Sequence, residues 1–315
     1  MDKILVMRGG AIGDFLLTLP AIAALKQKYP GARIEILGYP HIAGVAVAGC
    51  LADQVKPIES PTLAGFFATE TDLDPAWCEY FSDFDLFVSY LYDPHGILEN
   101  NIKRASRGRF ICGLHRPDEI VNIHATNVFL KPLETIGIHA ADPVPHLCIP
   151  DSTKGGLPDT DWIALHPGSG SAQKNWPPDC WLQLVERLLK TTPWRILVIG
   201  GEAESDRLET LCAHFTGDRI TPAMNLPLTL LAHKLFQCNI FLGHDSGISH
   251  LAAALGIPGM VLWGPSNPTI WRPRSPLFEI LSSESGICGL SVNYVHEQLL
   301  KKWKKTESGK GMLQI

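Results

Sequence analysis

The stretch KILVMRGGAIGDFLLTLPAIAALKQKYPGARIEILG, Lys3 to Gly38, decides the fold. Lys3 to Arg8 is a short apolar run, and a glycine turn follows it. Within DFLLTLPAIAALKQKYP, Phe15, Leu16, Leu19, Ala23 and Leu25 fall near helical spacing, and Pro30-Gly31 stops the pattern. ARIEILG, Ala32 to Gly38, then reads as a second strand. Strand, one helix and strand in this order predict parallel pairing through a crossover on the sheet face. DLFVSY (Asp85 to Tyr90) and RFICGL (Arg109 to Leu114) extend the series, with helical stretches between.

Further along, HAADPVPHLCIPDSTKGGLPDTD, His139 to Asp161, is rich in proline and glycine and reads as a linker. Beyond it the alternation starts again. WIALHPG, WRILVIGG, CNIFLGHDSG and GMVLWGPS read as strands with their turns. PDCWLQLVERLLKT, EAESDRLETLCAHF and SHLAAALG read as the helices between them. The expected organisation is an N-terminal doubly wound domain at 1–152, a second at 153–290, and a C-terminal helix and tail at 291–315. In open α/β sheets ligands bind outside the carboxyl ends of the strands, so the loops there carry the functional question. Two such domains are expected to face each other across a cleft.

Composition narrows the classes. The chain has 315 residues, 45% of them hydrophobic and 19% charged, which suits a folded protein large enough for two cores. A net charge of −5 argues against coating of nucleic acid. The eight cysteines are scattered without a C-x-x-C pair, so neither a zinc knuckle nor a dithiol redox motif is suggested. MDKILVMRGGAIGD does not resemble a secretion signal, and no run reaches the ~18 apolar residues of a membrane span. The expectation is a cytoplasmic protein. In the tail, LLKKWKKTESGKGM sets Lys301, Lys302, Lys304 and Lys305 around Trp303. That segment suits a helix closing back over the first domain with exposed lysines, ahead of peripheral contact with an anionic membrane, since one weakly basic helix seldom anchors alone.

Four turns can carry chemistry. In RGGAIGD, Gly10 and Gly13 allow a tight turn ahead of the first helix, and Asp14 is either a proton acceptor or that helix's cap. Arg8 stands where a dinucleotide fingerprint would need glycine. In HPGSGSAQKNWP, the loop amides, Ser169, Gly170, Ser171 and Lys174 suit a diphosphate, or form a plain surface loop. In GHDSGISHLAAALGIP, Asp245 can cap a helix whose first amides, at Ser246 and Gly247, favour an anion. His250 follows one turn in. In WGPSNP, Ser266 and Asn267 are ligand contacts or a polar turn. Arg104, Arg107, Arg109 and Arg116 form either an acidic-glycan contact or a solvated basic face.

Taken together, ILVMRGGAIGDFLLTLPAIAALK, HPGSGSAQKNWP and GHDSGISHLAAALGIPGMVLWGPSNP resemble glycosyltransferase family 9, the lipopolysaccharide heptosyltransferase family, in order and over nearly the whole chain. The resemblance implies a GT-B fold of two Rossmann-like domains and an inverting transfer that needs no cofactor and no catalytic metal. It implies a nucleotide-sugar donor, ADP-heptose first, and a lipopolysaccharide-core or related glycan acceptor. On that pattern Asp14 is the general base and Lys174 neutralises the leaving diphosphate. Ser169 and Gly170 match the phosphate loop, and Asp245, Ser246, Gly247 and His250 the donor-binding helix start. One departure stands out. The family's ribose-contacting acid is expected in MNLPLTLLAHKL, where Leu228 or Thr229 stands instead. The other readings are a nucleotide-sugar epimerase or hydrolase of the same fold, and a non-catalytic nucleotide-sugar-binding protein.

Overall fold

The computed structural model describes residues 1–150, 157, 160–201, 211, 214, 215 and 217–312. They form two compact units, Met1–Cys148 and Ile149–Ile315.

The first unit holds five parallel strands: β1 (Lys3–Arg8), β2 (Arg33–Gly38), β3 (Gln54–Pro57), β4 (Leu86–Ser89) and β5 (Arg109–Cys112), in the order β3-β2-β1-β4-β5. In β1, Lys3 pairs with Arg33 and Arg8 with Gly38, while Met7 pairs with Ser89 of β4 on the other side. Ile4 to Met7 are wholly buried, as a strand covered on both faces must be. Helices α1 (Ile12–Leu16), α2 (Leu19–Lys28), α3 (Pro40–Ala48), α4 (Pro75–Ser82), α5 (Ile97–Ala105) and α6 (Ala125–Leu130) supply the cover. An aromatic cluster of Phe66, Trp77, Phe81, Phe84 and Phe87 makes up much of one core layer.

The single helix expected after the first turn is two helices. Pro20 has no amide to donate and is favoured only in a first turn, so α2 begins afresh at Leu19. Thr18 sits at the break, and its Oγ1 donates to the Asp14 carbonyl at 2.9 Å. α1 is therefore one short turn, and Asp14 lies in it rather than ahead of it. The edge strand β3 escaped the sequence reading, because QVKP is short, polar and ends in proline.

The second unit has six parallel strands: β6 (Trp162–His166), β7 (Arg195–Gly200), β8 (Ile220–Met224), β9 (Ile240–His244), β10 (Gly259–Leu262) and β11 (Phe278–Leu281). Their order is β11-β10-β9-β6-β7-β8. Around them lie α7 (Pro178–Thr191), α8 (Leu228–Phe236), α9 (Gly247–Ala254), α10 (Pro268–Trp271) and α11 (Val292–Met312). The helix read in EAESDRLETLCAHF lies mostly outside the described residues, as does much of the linker after Pro150. The edge strands β8 and β11 also went unread, being four or five residues long.

In each sheet the chain runs outward from its first strand, then returns to that strand's other side. The order therefore reverses between β1 and β4 and again between β6 and β9. Crevices at such reversals are the ligand sites of open α/β sheets.

The C-terminal helix is packed on the second unit. Trp303 is buried, stacked on Trp194 at 3.9 Å within the second unit's core, beside Val295 and Leu299. Lys302 is buried too and reaches Glu279 at 2.8 Å. Trp303 is thus a packing residue of the second unit, and Lys301, Lys304 and Lys305 remain exposed.

Candidate active site

In the first unit the chain leaves β1 at Arg8 and turns through Gly9 and Gly10. Gly10 has φ +94°, and a Cβ there would lie 2.9 Å from Asp14 Oδ2. Glycine is required on both counts. Gly13 does different work. It lies within α1, its carbonyl accepting the Leu17 amide at 2.9 Å. Asp14 is not the N-cap of α1; that position is Ala11. Its Oδ2 reaches back to accept the Ala11 amide at 3.0 Å, and the side chain stays one-third exposed. A partly exposed carboxylate that holds one amide keeps acceptor capacity for a hydroxyl.

Next to it is Arg8, 3% exposed. Its Nη1 donates to the carbonyls of Tyr90 (3.2 Å) and His115 (2.8 Å), and its Nη2 to the Asp14 carbonyl (3.1 Å). Asp14 Oδ1 is 3.8 Å from Nη2. The Phe129 ring lies 4.5 Å from the guanidinium carbon. Burial lowers the Arg8 pKa from its ordinary value while Asp14 acts in the opposite sense. A cavity of about 870 Å³ on the same unit is lined by Gly113, Leu114, Val121, Val128, Pro132 and Ile138, and none of the residues singled out in the sequence lines it.

In the second unit the site forms where β6, β9 and β10 end. His166 pairs in register with Gly243, and Leu262 with His244. Lys174, at the end of a short 3-10 turn, points its Nζ at Asp245 Oδ2, 2.6 Å away. Asp245 is buried, so the charge pair is worth more than one in water. An ammonium has three donors, and this bond leaves two for another anion. Asp245 is not the helix cap expected of it. The N-cap of α9 is Ser246, whose hydroxyl meets His166 Nδ1 at 3.2 Å instead of a helix amide. The first amides of α9, from Gly247 on, remain available to an anion.

A buried network holds this floor in place. His244 Nε2 accepts the Trp176 amide at 2.9 Å, so its neutral ring carries the proton on Nδ1, facing the Gly168 carbonyl at 3.3 Å. Trp181 packs edge-on against the same ring. The loop after β6 is thereby fastened to the end of β9. Burial, with His244 beside it, pushes His166 down to about 3, so it is neutral at pH 7.

The remaining candidates differ in what they contribute. Ser169 is buried, and its hydroxyl is committed to the loop itself, to Ser171 O (2.9 Å) and Asn175 Oδ1 (2.7 Å). Gly170 is exposed with open space where a Cβ would be. His250 is buried inside α9. Ser266 takes part through its carbonyl, which accepts the Trp263 indole N–H at 2.6 Å. Asn267 caps α10 through the Thr269 amide. Gly264 lies against Lys174, where a Cβ would come within 3.4 Å of its Cα. The first turn of α8, with Leu228 and Thr229, holds no acid. Of the basic cluster, Arg104 bonds Asn101, Arg109 the Thr135 carbonyl and Arg116 Glu119. Sequence reasoning missed Arg8, His166 and His244, whose roles appear only when distant loops meet. Among the described residues, no group of three His, Cys, Asp or Glu could hold a metal ion.

Residues 149–301 match the family model described as glycosyltransferase family 9 (heptosyltransferase). The chain is 32% identical over 292 residues to lipopolysaccharide heptosyltransferase 1 of Pseudomonas aeruginosa, covering 84% of this chain and 79% of that one. It belongs to glycosyltransferase family 9. Among solved structures, the E. coli ADP-heptose lipopolysaccharide heptosyltransferase II superposes with a TM-score of 0.79 at 16% identity, over 97% of this chain and 99% of that one. An E. coli heptosyltransferase with ADP superposes at 0.75 and 18% identity, over 95% and 99%. The two doubly wound sheets are accordingly those of a GT-B fold. The enzyme is a glycosyltransferase, and family membership favours transfer over epimerisation or binding alone. No helix among the described residues is long and apolar enough to cross a membrane.

Proposed function

We propose that this glycosyltransferase moves heptose from ADP-heptose to a lipopolysaccharide-core acceptor, with inversion at the anomeric carbon. The observation that carries the reading is the Lys174–Asp245 pair at the start of α9, set at the β6–β9 reversal. Two of the similar proteins are named for ADP-heptose or bound to ADP, which supports the donor. The relative from Pseudomonas aeruginosa, named for lipopolysaccharide, supports the acceptor.

The residues divide the reaction between them. Asp14 takes the proton of the acceptor hydroxyl as its oxygen bonds to the anomeric carbon. The bond from that carbon to the diphosphate oxygen breaks, and ADP leaves with the electron pair. Lys174 and the amides at Ser246 and Gly247 meet the charge that gathers on the diphosphate. Such fixed donors stabilise a leaving group without reorganising at the moment of reaction. Ser169, Gly170 and Ser266 shape the loops around it, and His250 is packed in the first turn of α9 beneath them. Without an acid at the start of α8, ribose recognition falls to other groups. An acceptor anchored in lipid would bring the enzyme to the cytoplasmic face of the inner membrane, with Lys301, Lys304 and Lys305 as exposed basic groups.

A donor screen by thermal unfolding tests the reading, because a ligand that binds only the native state raises its stability, by about 2.7 kcal/mol at 100 times Kd. ADP-heptose should raise the midpoint more than UDP- or GDP-sugars. Adding heptose-deficient lipopolysaccharide should then yield a product of inverted anomeric configuration. Preference for a UDP- or GDP-sugar would refute the donor, and sugar release without acceptor would restore the epimerase or hydrolase reading.

A further inference from the structure

A guanidinium buried at the end of a β-strand is a costly choice, since an apolar side chain of similar volume avoids its desolvation. Arg8 nonetheless occupies that place. Its Nη atoms are met by the carbonyls of Asp14 in α1, and of Tyr90 and His115 in the loops after β4 and β5. The residues it joins are far apart in sequence, Tyr90 by 82 positions and His115 by 107. Phe129 covers the guanidinium, and Nε is buried with no partner among the described residues. The site lies at the β1–β4 reversal, where a ligand of the first unit is expected.

Each contact bears on Asp14 or on the surface beside it. The Asp14 carbonyl is held by Nη2, and its Oδ1 faces the same nitrogen at 3.8 Å. His115, tied through its carbonyl, packs its ring against the exposed Tyr92 at 4.8 Å between centroids. The carbonyls of Asp14 and His115 are thus separated by no more than one guanidinium and two hydrogen bonds.

We infer that Arg8 is a positioning residue for the transfer. It aims the Asp14 carboxylate and holds the Tyr92–His115 loops in register with it, so that an acceptor sugar lying along those loops presents its hydroxyl to Asp14. The inference rests on Asp14 being the general base. Arg8 touches no substrate itself.

Substitution by Arg8→Met keeps the volume and removes the charge and the bridges. The expected variant folds with a lowered melting temperature, because the carbonyls of Asp14, Tyr90 and His115 lose their donor, and binds ADP-heptose as the wild type does. Its kcat with heptose-deficient lipopolysaccharide falls by about 100-fold, the scale of a misplacement near 1 Å. A purely structural role would lower kcat only in proportion to the folded fraction at the assay temperature. Arg8→Lys keeps the charge but cannot bridge three carbonyls, so its kcat should fall by roughly tenfold. Wild-type kcat in a folded Met variant overturns the inference; if the Met variant does not fold, wild-type kcat in the Lys variant overturns it. Asp14→Asn, run alongside, separates the two claims. Full turnover in that variant removes Asp14 as base, whereas an inactive Asn variant beside a fully active Met variant removes only the role of Arg8.

Discussion

Gly10 shows how tightly the loop before Asp14 is drawn. At φ +94°, with Asp14 Oδ2 2.9 Å from where a Cβ would sit, alanine is strained and displaces the carboxylate. Gly10→Ala should cost about 1–2 kcal/mol of stability and cut kcat by at least about tenfold, leaving donor affinity unchanged. Chemical denaturation and steady-state kinetics on one preparation check both. Lys174 tests the opposite half of the reaction. Lys174→Met should lower kcat by about 100-fold and weaken donor binding, while leaving the buried Asp245 unpaired at a cost of about 1–3 kcal/mol. Adding Asp245→Asn should restore stability and not turnover, a split that a simple packing role cannot produce. His166 sets a pH dependence. Its folded value near 3 lies below the unfolded 6.5, so the folded chain binds fewer protons between those limits. Stability should therefore fall as pH drops below about 6.5, by up to about 1.4 kcal/mol per pH unit from this group. Burial of His296 adds in the same sense. Urea titrations at pH 7.5, 6 and 5 should show a shallower fall in His166→Asn than in wild type. Asp14 and Lys174 stood out in the turns after two apolar runs, each with a plain structural alternative, and their proposed roles come from the family resemblance. Arg8 did not stand out, because a charged residue closing an apolar run looks like a solvent-facing strand end until Tyr90 and His115 are brought to it.

At the level of elements, the buried strands were the clear ones. β1 matches its apolar run residue for residue, since Ile4 to Met7, covered on both faces, include no polar position to blur it. β3, β8 and β11 lie near or at sheet edges, are four or five residues long, and β3 and β8 contain proline, so no period distinguishes them from loop. The split between α1 and α2 was written in Pro20, yet an apolar period running through the break concealed it. α11 shows the converse. Its lysines drew attention to the surface, whereas its Trp303 serves the core. Trp303→Ala removes a stacked indole and should cost about 3–5 kcal/mol, read as a lowered melting temperature of the second unit. An unchanged melting temperature would mean that the Trp194 stack contributes little.

Across the whole molecule, each unit repeats one plan: a parallel sheet wound outward, then back, with chemistry placed at the reversal. Composition could suggest two cores, and alternation could suggest doubly wound sheets. The assignment of one reversal to a base and the other to a diphosphate needed the side chains themselves: Asp14 beside Arg8, and Lys174 paired with Asp245 at the start of α9. The most direct test of the account compares Asp14→Ala with wild type, measuring ADP-heptose affinity by calorimetry and transfer to heptose-deficient lipopolysaccharide in parallel. Unchanged donor affinity with kcat lowered by about 100- to 10,000-fold is the expected result. Transfer at the wild-type rate in that variant would contradict it.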